Sequence, residues 1–304
     1  MTPRRRSHHD RGVEVTRELI RDGLARGRYI TTEAVETVLY LALTLEKPLL
    51  TEGPAGAGKT EIGKVLAETL HAELIRLQCY EGLDEAKALY EWNYQKQLLR
   101  IQADRDQGLS GEDVTQHVFS RDYLLERPLL RAVTSPRRVV LLIDEIDKAD
   151  EEFEAFLLEL LSEFQVTIPE LGTIRAQHRP VVVLTSNRAR ELSEALKRRC
   201  LYLWLDFPGI DKERAIIALK VPDLEPRLQE HVARFVHALR QLDLHKAPSI
   251  AETLDWARAL RALQIRELNA AAVRQTLNLV LKHEEDLRKA DAKLGALLAS
   301  ATKA

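Results

Sequence analysis

The octapeptide GPAGAGKT, residues 53–60, constrains this chain more than any other stretch. It satisfies the spacing G-x-x-x-x-G-K-[ST], follows an apolar run, PLLTE, and opens a helical pattern, TEIGKVLAETLH. Glycines at 53, 56 and 58 let the backbone bend so that successive N–H groups point at one centre. The start of a helix adds partial positive charge at the same place. Strand, glycine loop and helix in that order build a cradle for phosphate, and they commit the chain to an α/β fold with the strand in its interior.

The rest of the first two thirds agrees. Apolar runs recur at 48–53, 73–79, 138–145, 179–187 and 200–207, separated by helical segments. In EEFEAFLLELLSEF, Phe153, Phe156, Leu157, Leu160, Leu161 and Phe164 fall on one helical stripe. Strands that read as apolar throughout, alternating with helices, predict a mainly parallel sheet covered on both faces. Two stretches interrupt it: a long mixed helical insertion, from Tyr80 to Asp113, and FQVTIPELGTIRAQH (164–178), which predicts a small hairpin around Pro169 and Gly172. After Pro208 the strand-like runs stop. EPRLQEHVARFVHALRQL, IAETLDWARALRAL and AAVRQTLNLVLKHEEDLRKA are helical, and Ser249 with Glu252 predicts a capping box on the middle one. The expected organisation is a basic tail over 1–12, an α/β nucleotide-binding domain over 13–208 and an α-helical domain over 209–304.

The chemistry is expected at the strand ends. The loop residues Gly53, Pro54, Ala55, Gly56, Ala57 and Gly58, with Lys59, Thr60 and Glu61 opening the helix, line the phosphates of a nucleotide, expected to be ATP. Lys59 reaches the terminal phosphates and the Thr60 hydroxyl binds Mg²⁺. A second motif, VVLLIDE, ends a buried strand on Asp144 and Glu145, at the carboxyl end where such sheets bind ligands. Asp144 is expected to hold the metal and Glu145 to activate a water against the γ-phosphate. Chelation needs only one carboxylate, so the pair favours hydrolysis over mere binding. Asn187, closing VVVLTSN, is expected to position that water.

Composition excludes several classes. Lys and Arg total 45 against 47 Asp and Glu, a formal net charge of −2, which argues against a chain whose main task is holding nucleic acid. No apolar run has the ~18–20 residues of a membrane span, and no signal-peptide apolar region follows the basic start, so the expected location is the cytoplasm. Cys79 and Cys200 stand outside any CxxC and read as reduced core residues, and the nine histidines have no ligand spacing. Trp204 and Trp256 read as core, and Trp92 and Tyr94 as packing within the insertion, with a partner surface as the alternative. DKAD (147–150) departs from a guanine-specificity motif in its first residue and reads as part of a surface turn. LSGED (109–113) shares only three letters with the transporter signature LSGGQ.

Arg198 and Arg199 precede an apolar run, where two permanent charges are costly to bury. As a solvated helix end they would be unremarked. Presented to a neighbouring subunit, either guanidinium could meet a γ-phosphate bound next door, as an arginine finger.

Together GPAGAGKT, VVLLIDEIDKA, LTSN, KRR and the C-terminal helices resemble the AAA+ ATPases, specifically the MoxR family. The stretch RLQCYEGLDEAKALYEWNYQKQLLRIQ is similar to the CoxD-like subgroup found beside carbon monoxide dehydrogenase genes. The resemblance implies a five-stranded core, a C-terminal lid and a ring, usually a hexamer. It also implies Mg²⁺-dependent, chaperone-like remodelling or maturation of a client such as a molybdenum hydroxylase, with a von Willebrand factor A partner. One feature departs from the pattern. Ile250 stands where the family carries a sensor arginine in S-P-R-A, and Arg258 lies about two turns further along the same helix. Three other readings compete: an ATP-regulated scaffold that does not hydrolyse, a nucleic-acid-associated AAA+ motor and a small-molecule kinase.

Overall fold

A computed structural model describes residues 14–106 and 118–302. The basic tail over 1–12 and the LSGED stretch lie outside the described residues. The strands are β1 Leu49–Glu52, β2 Leu74–Gln78, β3 Tyr90–Trp92, β4 Leu124–Glu126, β5 Val140–Asp144, β6 Gln165–Ile168, β7 Gly172–Arg175, β8 Val181–Ser186 and β9 Leu201–Trp204. Residues up to Glu52 with Thr60–Trp204 form one unit, and Gly53–Lys59 with Leu205–Ala304 form another.

In the first unit five strands build one parallel sheet in the order β2-β5-β8-β1-β9. Expectation and structure agree on the α/β class and on the parallel sheet between helices. They differ on how uniformly the strands are buried. β5, β8 and β1 are buried at every residue, whereas β2 and β9, the two edges, alternate. An edge strand is not enclosed by neighbours on both sides, so every second side chain can reach solvent. Trp204 shows the consequence: expected in the core, it is 42% exposed on β9, with Arg188 stacked over its ring.

Helices Arg17–Arg26 and Glu33–Thr44 start at side-chain caps, Thr16 and Thr32, each accepting a backbone N–H. The Glu151–Glu163 helix opens on Asp150, which caps the Phe153 N–H, and buries Phe153, Leu157, Leu160 and Leu161. Phe164 ends it in the left-handed region, turning the chain into the β6–β7 hairpin that the sequence predicts. The insertion is less helical than its pattern suggests. β3 lies within it and pairs antiparallel with β4, which follows it in the chain, and Trp92 is buried edge-on to Tyr90 and Phe119 while Tyr94 is 63% exposed.

The second unit contains no strand among its described residues. Its helices include Ile210–Lys220, Pro226–Arg240, Ile250–Ala262 and Ala270–Thr276. Trp256 is fully buried against Phe235 and donates its indole N–H to Thr276 Oγ1 at 2.8 Å, so its polar edge is satisfied. The capping box of Ser249 and Glu252 forms as predicted. The final helical pattern breaks. Thr276 ends one helix, a short 3-10 turn spans Leu277–Leu279, and a new helix runs Glu284–Ala292. Among the described residues no helix is long and apolar enough to cross a membrane.

Candidate nucleotide site

The glycine loop leaves β1 at Gly53 and runs into the Lys59–Thr69 helix. Gly53 (φ +152°) and Gly56 (φ +77°) occupy backbone conformations that side chains rarely adopt. Space forbids a side chain as well: a Cβ on Gly53 would lie 1.9 Å from the Leu205 carbonyl oxygen, and one on Gly56 would lie 2.3 Å from Ser249 Cβ. Lys59 is buried and donates from Nζ to the carbonyl oxygens of Gly53 and Pro54, each at 2.8 Å, so its ammonium sits inside the curl of the loop. Ala57 is buried, Ala55 is exposed, and Glu61 pairs with Lys64 one turn along the helix.

The next residue, Thr60, donates its hydroxyl hydrogen to Asp144 Oδ1 at 2.9 Å. The structure therefore brings together the two residues expected to bind metal. Asp144 is 2% exposed at the end of β5, and the same Oδ1 accepts a second hydroxyl, from Thr185 on β8, at 2.6 Å. Its Oδ2 accepts from Arg76 Nη2 on β2 at 2.5 Å. Hydroxyl and carboxylate oxygens are hard donors suited to Mg²⁺, and Thr60 and Asp144 bring one of each together, so the residues present fit the ion. Among the described residues no group of three or more His, Cys, Asp and Glu is placed to hold a metal.

Glu145 is half-buried and takes left-handed backbone angles, φ +57° and ψ +50°, which turn its side chain off the strand line. Its N–H is held by Thr185 Oγ1 at 2.9 Å. Its Oε2 accepts from Gln78 Nε2 at 3.0 Å and pairs with Lys148 Nζ at 2.5 Å, and the carboxylate draws the Lys148 pKa above its usual value. Its Oε1 faces Asn187 Nδ2 at 3.4 Å. Glu145 and Asn187, read from the sequence as base and water-positioning residue, thus lie within reach of each other.

Several participants escape a motif reading. Asp147 does not lie on a surface turn: it is buried, and its Oδ2 accepts the N–H groups of Asn187 at 3.1 Å and Ala189 at 2.8 Å, fixing the turn that carries Asn187. Glu52, also buried, accepts from Ser186 Oγ at 3.0 Å and Tyr202 at 3.1 Å immediately before the loop. Arg76 and Gln78 sit two residues apart on one face of β2, and polar residues alternating with Ile75 and Leu77 were the available signal. Cys79 follows them. Burial, reinforced by Asp144, pushes its thiol up to about 12, and burial does the same at Cys200, so neither is a ready nucleophile.

The arginine pair splits. Arg199 donates from Nε to Ser162 Oγ at 2.6 Å and from Nη1 to the Ala195 carbonyl at 3.0 Å. Arg198 is exposed and makes no hydrogen bond or ion pair among the described residues. Of the sensor candidates, Ile250 gives its N–H to the Gly56 carbonyl at 3.4 Å, and Arg258 is exposed and paired with Asp255 on its own helix.

A phosphate loop followed by an acidic pair at the tip of a buried parallel strand defines a P-loop nucleotide-binding protein. The model of the AAA domain (dynein-related subfamily) matches residues 48–200, just over half of the chain, and the chain belongs to this family of AAA+ ATPases, whose members generally hydrolyse ATP. It is similar to an uncharacterized protein of Staphylococcus epidermidis, 24% identical over 83% of this chain and 90% of that one. It is also similar to part of the chaperone protein ClpB 2 of Parasynechococcus marenigrum, 31% identical over 45% of this chain and 13% of that one. A solved point mutant of Thermotoga maritima RuvB shares the fold, with 19% identity and a TM-score of 0.51 over 89% of this chain and 82% of that one.

Proposed function

We propose that this chain is an ATP-hydrolysing ring subunit of the MoxR type, CoxD-like in its insertion, that remodels or matures a client protein. The observation that carries this reading is the Thr60–Asp144 contact at 2.9 Å beside a Glu145 held from both sides by Gln78 and Asn187. The N–H groups of residues 53–58 cradle the phosphates, Lys59 pairs with the terminal ones, and Glu61 lies at the mouth of the helix that carries them. Thr60 and Asp144 hold Mg²⁺, which when bound neutralises charge on the phosphate oxygens. Glu145 takes the proton of the attacking water and Asn187 orients that water. Residues 13–208 act as the nucleotide-binding domain and 209–304 as its lid.

Arg198 supplies transition-state charge to the site of the neighbouring subunit in the ring. Its exposure, and its lack of a hydrogen bond or ion pair among the described residues, support this choice over Arg199, which is already engaged. The insertion's likeness to the CoxD-like group supports a molybdenum hydroxylase such as carbon monoxide dehydrogenase as client, with a von Willebrand factor A protein as partner.

Phosphate release by the full chain tests the enzymatic core. The rate per subunit should rise with protein concentration, and Glu145→Gln should keep ATP bound while hydrolysing it about 10²–10⁴-fold more slowly. Turnover unchanged in that variant overturns the assigned base. Capture on ATP-loaded Glu145→Gln protein should recover a von Willebrand factor A protein together with a molybdenum enzyme. Recovery of neither overturns the narrower assignment.

A further inference from the structure

We infer that Arg76 is a resident counter-cation for Asp144, which the divalent ion arriving with nucleotide must displace, so that Arg76 sets how much of that ion the chain requires. The inference rests on the nucleotide-site reading above and adds a positioning residue to it.

Asp144 is a buried carboxylate, and a buried charge left unpaired is strongly destabilising. Two neutral hydroxyls, Thr60 and Thr185, serve only Oδ1. Arg76 serves Oδ2 and brings a full positive charge into direct hydrogen-bond contact with this carboxylate. The same Nη2 also donates to Gln78 Oε1 at 2.7 Å. With that second anchor, Arg76 is held over Asp144 rather than left to sample solvent.

A metal ion held by Thr60 and Asp144 puts two further positive charges on the same carboxylate. Guanidinium and metal then repel one another, and the hydrogen bond from Nη2 competes for lone pairs that the ion or its water needs. Arg76 can yield, because its side chain is 50% exposed at the sheet edge and its charge returns to water when it swings away. Asp144, 3% exposed, cannot follow it. In the absence of metal, Arg76 keeps the carboxylate paired and correctly turned. In its presence, Arg76 is a competitor.

The test is Mn²⁺ binding to the full chain, followed by electron paramagnetic resonance at saturating non-hydrolysable ATP analogue. Arg76→Gln should lower the half-saturating Mn²⁺ concentration by roughly three- to tenfold, the scale of one partly exposed charge-assisted hydrogen bond. Arg76→Lys, which keeps the charge, should stay near the wild type. Thermal unfolding supplies a second readout: Arg76→Gln should lower the melting temperature of the metal-free chain more than that of the Mn²⁺-nucleotide complex. A half-saturation unchanged or raised in Arg76→Gln, or an equal thermal loss in both states, overturns the inference while leaving the nucleotide site intact. A wild-type chain that binds no Mn²⁺-nucleotide overturns the site reading and this inference with it.

Discussion

The Thr185 hydroxyl donates to Asp144 Oδ1 at 2.6 Å and accepts the N–H of the following residue, Glu145, at 2.9 Å. One buried side chain on β8 therefore fixes both acidic residues, the first by its carboxylate and the second by its backbone. Glu145 is held where its peptide must be left-handed, an uncommon state for a non-glycine residue. Thr185→Val keeps the shape and removes both bonds. The N–H of Glu145, in a half-buried position, then loses its partner, which should cost about 1–3 kcal/mol in urea unfolding. ATP turnover should fall further than ATP affinity, because the base is displaced while the phosphate loop is untouched. Equal losses in both would show that Thr185 serves folding alone.

Arg198 and Arg199 are adjacent and chemically identical, yet they should fail differently. Arg199→Ala breaks two bonds that tie its helix end to Ser162 and Ala195, and should lower stability by about 0.5–1.5 kcal/mol. Arg198→Ala breaks no hydrogen bond or ion pair among the described residues and should leave unfolding unchanged. Its hydrolysis rate, measured where subunits are assembled, should drop about 10³-fold or more. Mixing Arg198→Ala with Glu145→Gln protein should restore part of the activity, since each then supplies what the other lacks. No restoration would argue against donation between subunits.

Gly56 and Ser249 provide a separable pair of costs. Gly56→Ala meets both a positive φ and a 2.3 Å approach to Ser249 Cβ. The strain alone is of order 1–2 kcal/mol, and the clash adds to it. Removing the obstructing side chain with Ser249→Gly should recover the clash but not the strain, at the expense of a helix cap worth a few tenths of a kcal/mol when glycine replaces serine. A double-mutant cycle on thermal unfolding should therefore give a favourable coupling energy. Simple additivity would mean that the loop moves off the Ile250–Ala262 helix on its own.

What could be read in advance follows from how local each cause is. GPAGAGKT and VVLLIDE specify backbone turns and strand ends within a few residues, so the placement of Lys59 and Thr60 at a helix start and of Asp144 and Glu145 at a strand end is legible from spacing. The capping box at Ser249 and Glu252 is local in the same sense. Trp204 was misjudged because exposure depends on strand order, and nothing within LYLW reveals that β9 is an edge. Arg76 and Gln78 carried a signal, polar residues at alternate positions of β2, but its meaning needed β5 alongside to place them over Asp144 and Glu145. Asp147 read as a turn residue because its partners, the amides of Asn187 and Ala189, lie some forty residues away.

The helical unit has its own buried charge. Arg240 grips Glu213 through two bonds, Nη1 to Oε2 at 2.6 Å and Nη2 to Oε1 at 2.8 Å, and donates from Nε to the Pro248 carbonyl at 2.8 Å. Its guanidinium also stacks 4.4 Å from the Phe207 ring centre, and Thr253 gives Glu213 Oε1 a further hydroxyl bond at 2.9 Å. Both side chains are nearly inaccessible, at 5% and 0% exposure, so neither can take its charge to water if the other is removed. Arg240→Ala should therefore cost about 3–5 kcal/mol, measured by urea unfolding followed at Trp256 fluorescence. Replacing both with apolar residues of similar size, Arg240→Met with Glu213→Leu, removes the uncompensated charge and should recover much of that loss. If the double variant is no more stable than Arg240→Ala, the pair's other bonds, to Pro248 and Thr253, carry the stability rather than the charges themselves.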